Sequence, residues 1–311
     1  MSTAFRRTLR RLGVVALSAV LLSGATAVHG AAASPGASAA ERSLPVADVL
    51  DVTVTHQGFE LPGDSPRRPG WVTLRATTED TSGHYLSILK LAEGVSVDEV
   101  ARTTAQVTST DPDVAIPAVN KLYRDVEFNG GASVQPGHPV SVTVNLAPGT
   151  YQVVESPASW TSGRPAYYAH TLEVSGDPLR VRPPAYDAPL LAVTREGKPA
   201  FTAPRRVRSG VTFFVANLTP TPQETIFRPV EPGTTDAEIQ AYYDADAAGE
   251  EYPSPFTGRV GGMLPIAPGK TALLHIENAS PGDYAVASFT RDPATARRAA
   301  YDGMHQVITH E

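Results

Sequence analysis

Four landmarks recur in the same order in the two halves of this 311-residue chain. That repetition constrains the fold more than any other feature. An alternating strand follows a glycine twice, as Gly70-Trp71-Val72-Thr73-Leu74 and as Gly210-Val211-Thr212-Phe213-Phe214. An apolar strand then runs to a glycine and a helix start. In the first half this is Leu86-Ser87-Ile88-Leu89, then Gly94, then Ser96-Val97-Asp98-Glu99. In the second it is Ile226-Phe227, then Gly233, then Thr235-Asp236-Ala237-Glu238. Both helix starts fit a capping box, in which a hydroxyl and a Glu satisfy orphan amides. Gly130-Gly131 matches Gly261-Gly262. Last, Pro136-Gly137, a strand and Pro148-Gly149-Thr150-Tyr151 match Pro268-Gly269, a strand and Pro281-Gly282-Asp283-Tyr284. The offsets are 140, 139 and 131 residues for the first three landmarks, and 132 and 133 for the two Pro-Gly turns.

Short alternating strands punctuated by Pro and Gly predict an all-β sandwich in each copy, with about six to eight strands and one short helix. The length leaves room for two such domains. The expected boundaries are 46–176 for the first and 190–311 for the second. Between them, residues 177–189 hold four prolines and read as a linker.

The first residues read as an export signal. A basic segment, Arg6 to Arg11, precedes an apolar run from Leu12 to Leu22, and Ala31-Ala32-Ala33 forms a cleavage site before Ser34. The run is too short to span a bilayer as a permanent anchor. Arg10 stands where a twin-arginine signal prefers an apolar residue, which favours the general route. Ala25 stands where a lipoprotein would need cysteine, so no lipid anchor is expected. Residues 34–45, rich in Ala, Ser and Pro, read as a flexible leader.

Composition closes off several kinds of chemistry. Cysteine is absent, which excludes disulfides, thiolate metal sites and a cysteine nucleophile. Net charge is -6; without residues 1–33, which hold four arginines and no acid, it is near -10. This argues against nucleic acid or an anionic membrane as partner. No nucleophile elbow, P-loop, dinucleotide fingerprint, HExxH or EF-hand loop occurs. The glycine pairs read as turns, and Glu250-Glu251 as part of a solvated loop. His305 and His310 read as exposed residues of an edge strand. Tyr167-Tyr168 and Tyr242-Tyr243 read as one core ring beside one half-exposed ring, and Tyr252 as a further surface aromatic.

The order of glycine, strand, strand, capped helix, Gly-Gly, Pro-Gly, strand, Pro-Gly-x-Tyr and final strand resembles secreted cupredoxin-like (plastocyanin-like) domains, once per half. The resemblance implies two tandem Greek-key β-sandwiches. Copper-binding members hold type 1 copper with two His, one Cys and usually a Met, because a thiolate, imidazoles and a soft axial ligand set that chemistry. His84 in Gly83-His84-Tyr85 fits the first ligand position, and Glu155 stands where the Cys would be. The later loop has His170 only near its end. In the second half, Gln223 replaces the His and Ser288 the Cys; Met304 fits the axial place, and Ala299 stands near the missing His. Type 1 copper is therefore excluded for the chain alone.

These observations predict a secreted or loosely wall-associated, non-catalytic binding or structural protein without cofactor. Its expected partner is an extracellular protein or a cell-wall polymer. Two alternatives stand beside it. One is a non-type-1 metal site built from His84, Glu155 and His170. The other is a hydrolase whose site forms at the interface between the domains.

Overall fold

The alternating segments form strands in a computed structural model that describes residues 47–63, 66–157, 168–178 and 184–311. The export signal at 1–33, the leader at 34–45, Tyr167 and part of the linker lie outside the described residues. The first half runs β1 (Asp48–Thr53), β2 (Gly70–Thr77), β3 (His84–Leu91), α1 (Val97–Val107), α2 (Pro112–Asp125), β4 (Val126–Val134), β5 (Val140–Leu146), β6 (Gly149–Pro157) and β7 (Tyr168–Val174). The second runs β8 (Ala188–Arg195), β9 (Lys198–Thr202), β10 (Arg206–Val207), β11 (Thr212–Asn217), β12 (Gln223–Pro229), α3 (Asp236–Ala248), β13 (Gly261–Ile266), β14 (Thr271–Ile276), β15 (Gly282–Ala287) and β16 (His305–His310). The expected all-β sandwich is the fold found.

The strands form two sheets, each shared by both halves. One has the order β1-β2-β5-β14-β11-β8-β9, the other β10-β16-β15-β12-β13-β4-β3-β6-β7. The order reads alike from either side of the middle. β1 is parallel to β2 as β8 is to β11, and β3 lies between β4 and β6 as β12 lies between β13 and β15. At the middle, β5 pairs with β14 and β4 with β13, both antiparallel. Val142 faces Leu274, and Ala132 faces Met263. At the centre of each ladder a residue thus faces its own match under the sequence offset, as an approximate twofold axis requires.

One apolar core runs between the sheets through both halves. Leu74, Val142 and Leu86 of the first pack in the same cluster as Leu274, Phe213 and Phe227 of the second. Burial of each such side chain stabilises by about 1.5–3 kcal/mol. The outer face of the larger sheet carries the helices. Val100, Leu122 and Val126, from α1, α2 and the start of β4, pack on Leu89 and Val154, and α3 places Ile239 and Tyr243 against Ala285 and Val307.

Local details sharpen or correct the reading of the sequence. The first half holds two helices rather than one. Asp111 caps α2 and Pro112 occupies its first turn, while the interior Pro117 masks the helical pattern. The capping box is complete at Thr235 and Glu238. At α1 only the Ser96 half forms, because Lys121 takes the Glu99 carboxylate at 2.6 Å. The glycine pairs are not turns: they lie within β4 and at the start of β13. A Cβ on Gly131 would meet the Leu86 carbonyl oxygen at 2.2 Å, and one on Gly262 would meet that of Thr225 at 2.2 Å. Both glycines have positive φ, 136° and 152°, and serve close backbone approach. β16 lies between β10 and β15 rather than at an edge, and His310 is buried rather than exposed because its ring faces the core against Phe213, Phe227 and Tyr284.

The two Pro-Gly-x-Tyr turns are built alike. The Tyr151 hydroxyl donates to the Ala147 carbonyl at 2.9 Å, and the Tyr284 hydroxyl to the Ser280 carbonyl at 2.8 Å. Tyr151→Phe and Tyr284→Phe should each cost about 1 kcal/mol, read as matching losses in urea midpoint. A loss in one half alone would show that the turns differ in energy despite their common geometry.

Candidate functional site

Strand alternation sends two sets of side chains to opposite faces of the larger sheet. On β3, His84, Leu86 and Ile88 point into the core, and Tyr85 and Ser87 point outward. On β12, Gln223, Thr225 and Phe227 point inward, and Glu224, Ile226 and Arg228 outward. The inward set carries the positions singled out in the sequence. The outward set lines a cavity.

The structure joins two of the three predicted metal-site residues. His84 and Glu155 are each 1% exposed. The His84 Nδ1–H donates to Glu155 Oε1 at 2.7 Å, and its Nε2–H to Asp80 Oδ2 at 2.8 Å. Burial pulls the His84 pKa down, but the hydrogen bonds to Glu155 and Asp80 outweigh it and hold the net shift upward. Each ring nitrogen faces a carboxylate oxygen at hydrogen-bond distance, so neither points into open space that a metal could take. His170 lies on β7 opposite Val153, where its Nε2–H donates to the Phe59 carbonyl at 2.8 Å and its ring meets the Phe59 ring edge-on. Among the described residues no three His, Asp or Glu side chains converge as a metal ion would require.

The corresponding place in the second half is closed by a neutral pair. Ser288 Oγ donates to Gln223 Oε1 at 2.8 Å, and Gln223 Nε2 donates to Thr221 Oγ1 at 2.9 Å. Gln223 and Ser288 are both buried, as is Met304, whose carbonyl accepts from the Ser288 amide at 3.2 Å. The residue pairs matched by sequence alone, His84 with Gln223 and Glu155 with Ser288, therefore occupy matching hydrogen-bonded positions.

No family model matches the chain, and no curated protein matches it. Solved structures similar to it include reduced auracyanin from Roseiflexus castenholzii, at 18% identity over 41% of this chain and 99% of that one, with a TM-score of 0.25. A blue copper oxidase from Nitrosomonas europaea is 12% identical over 85% of this chain and 86% of that one, with a TM-score of 0.23. Rusticyanin from Thiobacillus ferrooxidans is 16% identical over 40% and 75%, with a TM-score of 0.24. At these scores no residue role and no copper chemistry is carried across.

The outward-facing cavity is the larger opportunity for chemistry. It holds about 440 Å³ over the β4–β13 junction, and both halves line it. Its floor is Tyr85 and Ser87 of β3, Ser133 of β4, and Glu224 and Ile226 of β12. Thr104 of α1 and Tyr123 of α2 form one wall, and the stretch Phe289-Thr290-Arg291 forms the other. The walls are tied together: the Tyr123 hydroxyl donates to the Arg291 carbonyl at 2.7 Å and accepts from the Arg291 amide at 3.1 Å. Asn120 also donates to the Pro293 carbonyl at 2.7 Å.

Two groups in this floor are electrostatically altered. Burial pushes Glu224 up to about 7, against the opposing pull of the Phe289 amide that it accepts at 2.7 Å and of the Arg298 charge. Burial likewise pushes Tyr85 up to about 12. Tyr85 and Glu224 are equivalent under the sequence offset of the second landmark, a signal sufficient to pair them. Nothing local marked them as lining a cavity, because the lining comes from seven strands and helices distant in sequence.

The remaining sequence candidates are surface or core groups. Tyr243 is buried and Tyr242 half-buried, the expected split. Glu250 and Glu251 are exposed beside Tyr252 in a shallow depression. His305 Nε2 donates to Gln240 Oε1 at 2.9 Å.

Proposed function

We propose that the chain is an exported, non-catalytic binding protein built of two tandem, copper-free cupredoxin-like domains, and that its ligand occupies the cavity between them. The observation that carries this reading is the cavity itself: a concave site of ligand size, to which both halves contribute convergent polar groups and aromatic rings. Three further features support it. The chain has no cysteine. The positions that hold copper in ligand-bearing relatives are closed by His84–Glu155 and Gln223–Ser288. Glu224 is the one carboxylate among the described cavity residues, so no pair of carboxylates faces across the cavity there. The matched strand order supports descent from one duplicated domain. Export follows from the basic, apolar and small-residue order of residues 1–33. Among the described residues no helix is long and apolar enough to cross a membrane.

The test is a melting screen of a diverse small-molecule library against the wild type and Ser87→Trp, which fills the cavity from its floor. A ligand at about 100 times its Kd should stabilise by about 2.7 kcal/mol, or roughly 5–10 °C for a chain of this size. The gain should vanish in Ser87→Trp. Compounds that stabilise both proteins equally would place binding elsewhere and overturn the reading.

A further inference from the structure

Four arginines border the cavity: Arg228, Arg259, Arg291 and Arg298. None of them meets a carboxylate among the described residues, whereas arginines elsewhere, such as Arg67, Arg75 and Arg205, each do. Arg228 is fixed by stacking, with its guanidinium 3.6 Å from the centre of the Phe256 ring. Its Nε is buried and has no hydrogen-bond partner among the described residues. Arg291 is held by its own Nη1, which donates to the Ala296 carbonyl at 2.7 Å. Arg298 donates to the Tyr301 hydroxyl at 3.0 Å.

Cations that border one cavity repel one another, and a buried guanidinium without a partner carries a desolvation cost. Burial pulls Arg228 below its ordinary pKa; burial and then the Arg298 charge do the same to Arg291. Glu224 offsets this charge only in part near neutrality, since it is held up to about 7. Four arginines thus border one cavity in which Glu224 is the single carboxylate among the described residues. The rest of the lining, with Phe128, Ile226, Leu264 and Phe289, suits an apolar body.

We infer that the cavity binds a small organic anion, with its carboxylate or other oxyanion held by the bordering arginines, Arg228 first among them, and its apolar body against Ile226 and Phe289. Planar forks of N–H donors match such oxyanions, and charge-assisted bonds are about twice as strong as neutral ones. The inference rests on reading the cavity as the ligand site, and it adds the ligand's charge.

The experiment compares matched pairs that differ in charge and little in shape: phenylacetate with phenylacetamide, and indole-3-acetate with indole-3-acetamide. The purified full chain is titrated with each, and the backbone amide resonances of Phe289 and Thr290 are followed by NMR. The anions should shift these resonances and bind about 10-fold more tightly than their amides, a step set by the charge-assisted bonds. Arg228→Met should reduce that preference to near unity. Arg298→Gln, at an exposed position, should reduce it in part and serves where Arg228→Met fails to fold. Equal binding of anion and amide would overturn the charge inference and leave the cavity reading standing. Failure of every probe to move the cavity resonances would overturn both.

Discussion

Replacing His84 by alanine should destabilise the fold by about 3–5 kcal/mol, because it leaves Glu155 buried without its partner. The measurement is a urea midpoint near pH 5.5, and the pH matters. The folded pKa of His84 is raised above its ordinary 6.5. The imidazolium therefore contributes fully below about 6.5, and its contribution is lost as pH rises through the folded value. Asp80 is lowered below its ordinary 3.8, chiefly by the hydrogen bond to His84, so its share is lost as pH falls through its folded value. Between these limits the wild type should hold its full advantage over His84→Ala. The second half supplies a sharper variant. There the same two places hold Gln223 and Ser288, joined at 2.8 Å. The double change His84→Gln with Glu155→Ser transplants that neutral pair and should recover more than half of the loss, since no charge is left buried. A double variant no more stable than His84→Ala would show that the two positions are not equivalent in packing.

That equivalence was legible before any fold was known, and the reason is physical. Turns and helix starts require particular residue types, so Pro148-Gly149 and Pro281-Gly282 remain recognisable when the strands between them have drifted. Counting from such turns matched Glu155 with Ser288 and His84 with Gln223, and in the structure His84 bonds to Glu155 as Gln223 bonds to Ser288. What stayed hidden has a physical cause too. Gly131 signals only that the backbone needs positive φ, and a turn and a close approach to Leu86 ask for the same residue. The pairing of β4 with β13 joins residues far apart in sequence, and an antiparallel ladder carries no local mark of its partner. The cavity over that ladder inherits the same obscurity. Tyr85 and Glu224 sit on the outward face of alternating strands, which reads as solvent until the halves are brought together.

The two faces of the larger sheet differ in chemistry. On the inward face of the larger sheet, His84 bonds to Glu155 and Gln223 to Ser288, so these side chains satisfy one another within the core. The outward face has gathered arginines, a protonatable Glu224 and aromatic rings where the halves meet. Binding at the seam should therefore depend on the contacts between α2 and the 291–298 stretch, such as Tyr123 with Arg291.

Acid sensitivity should trace largely to one residue at the end of the chain. His310 is 5% exposed, and neither ring nitrogen has a hydrogen-bond partner among the described residues. It packs against Tyr284, Phe227 and Phe213, with ring centres 4.7, 6.0 and 6.3 Å away. Alternation from Ile308 places it on the core face, a clue available in the sequence. Burial lowers its pKa from 6.5 to about 4. The fold therefore favours the neutral ring: stability is full above about 6.5 and falls as pH drops towards 4, by about 3 kcal/mol at the limit. His84 and Glu224 act in the opposite sense, since both have raised folded pKa values and gain protons in the folded state as pH falls. The wild-type curve alone mixes these effects, and the difference from His310→Leu separates them. Leucine keeps the volume roughly and removes both the titration and the unpaired nitrogens. The stability of His310→Leu relative to the wild type should rise by about 3 kcal/mol between pH 7 and pH 4, read from urea midpoints. Parallel curves for the two proteins across that range would show that His310 is not the buried neutral group described.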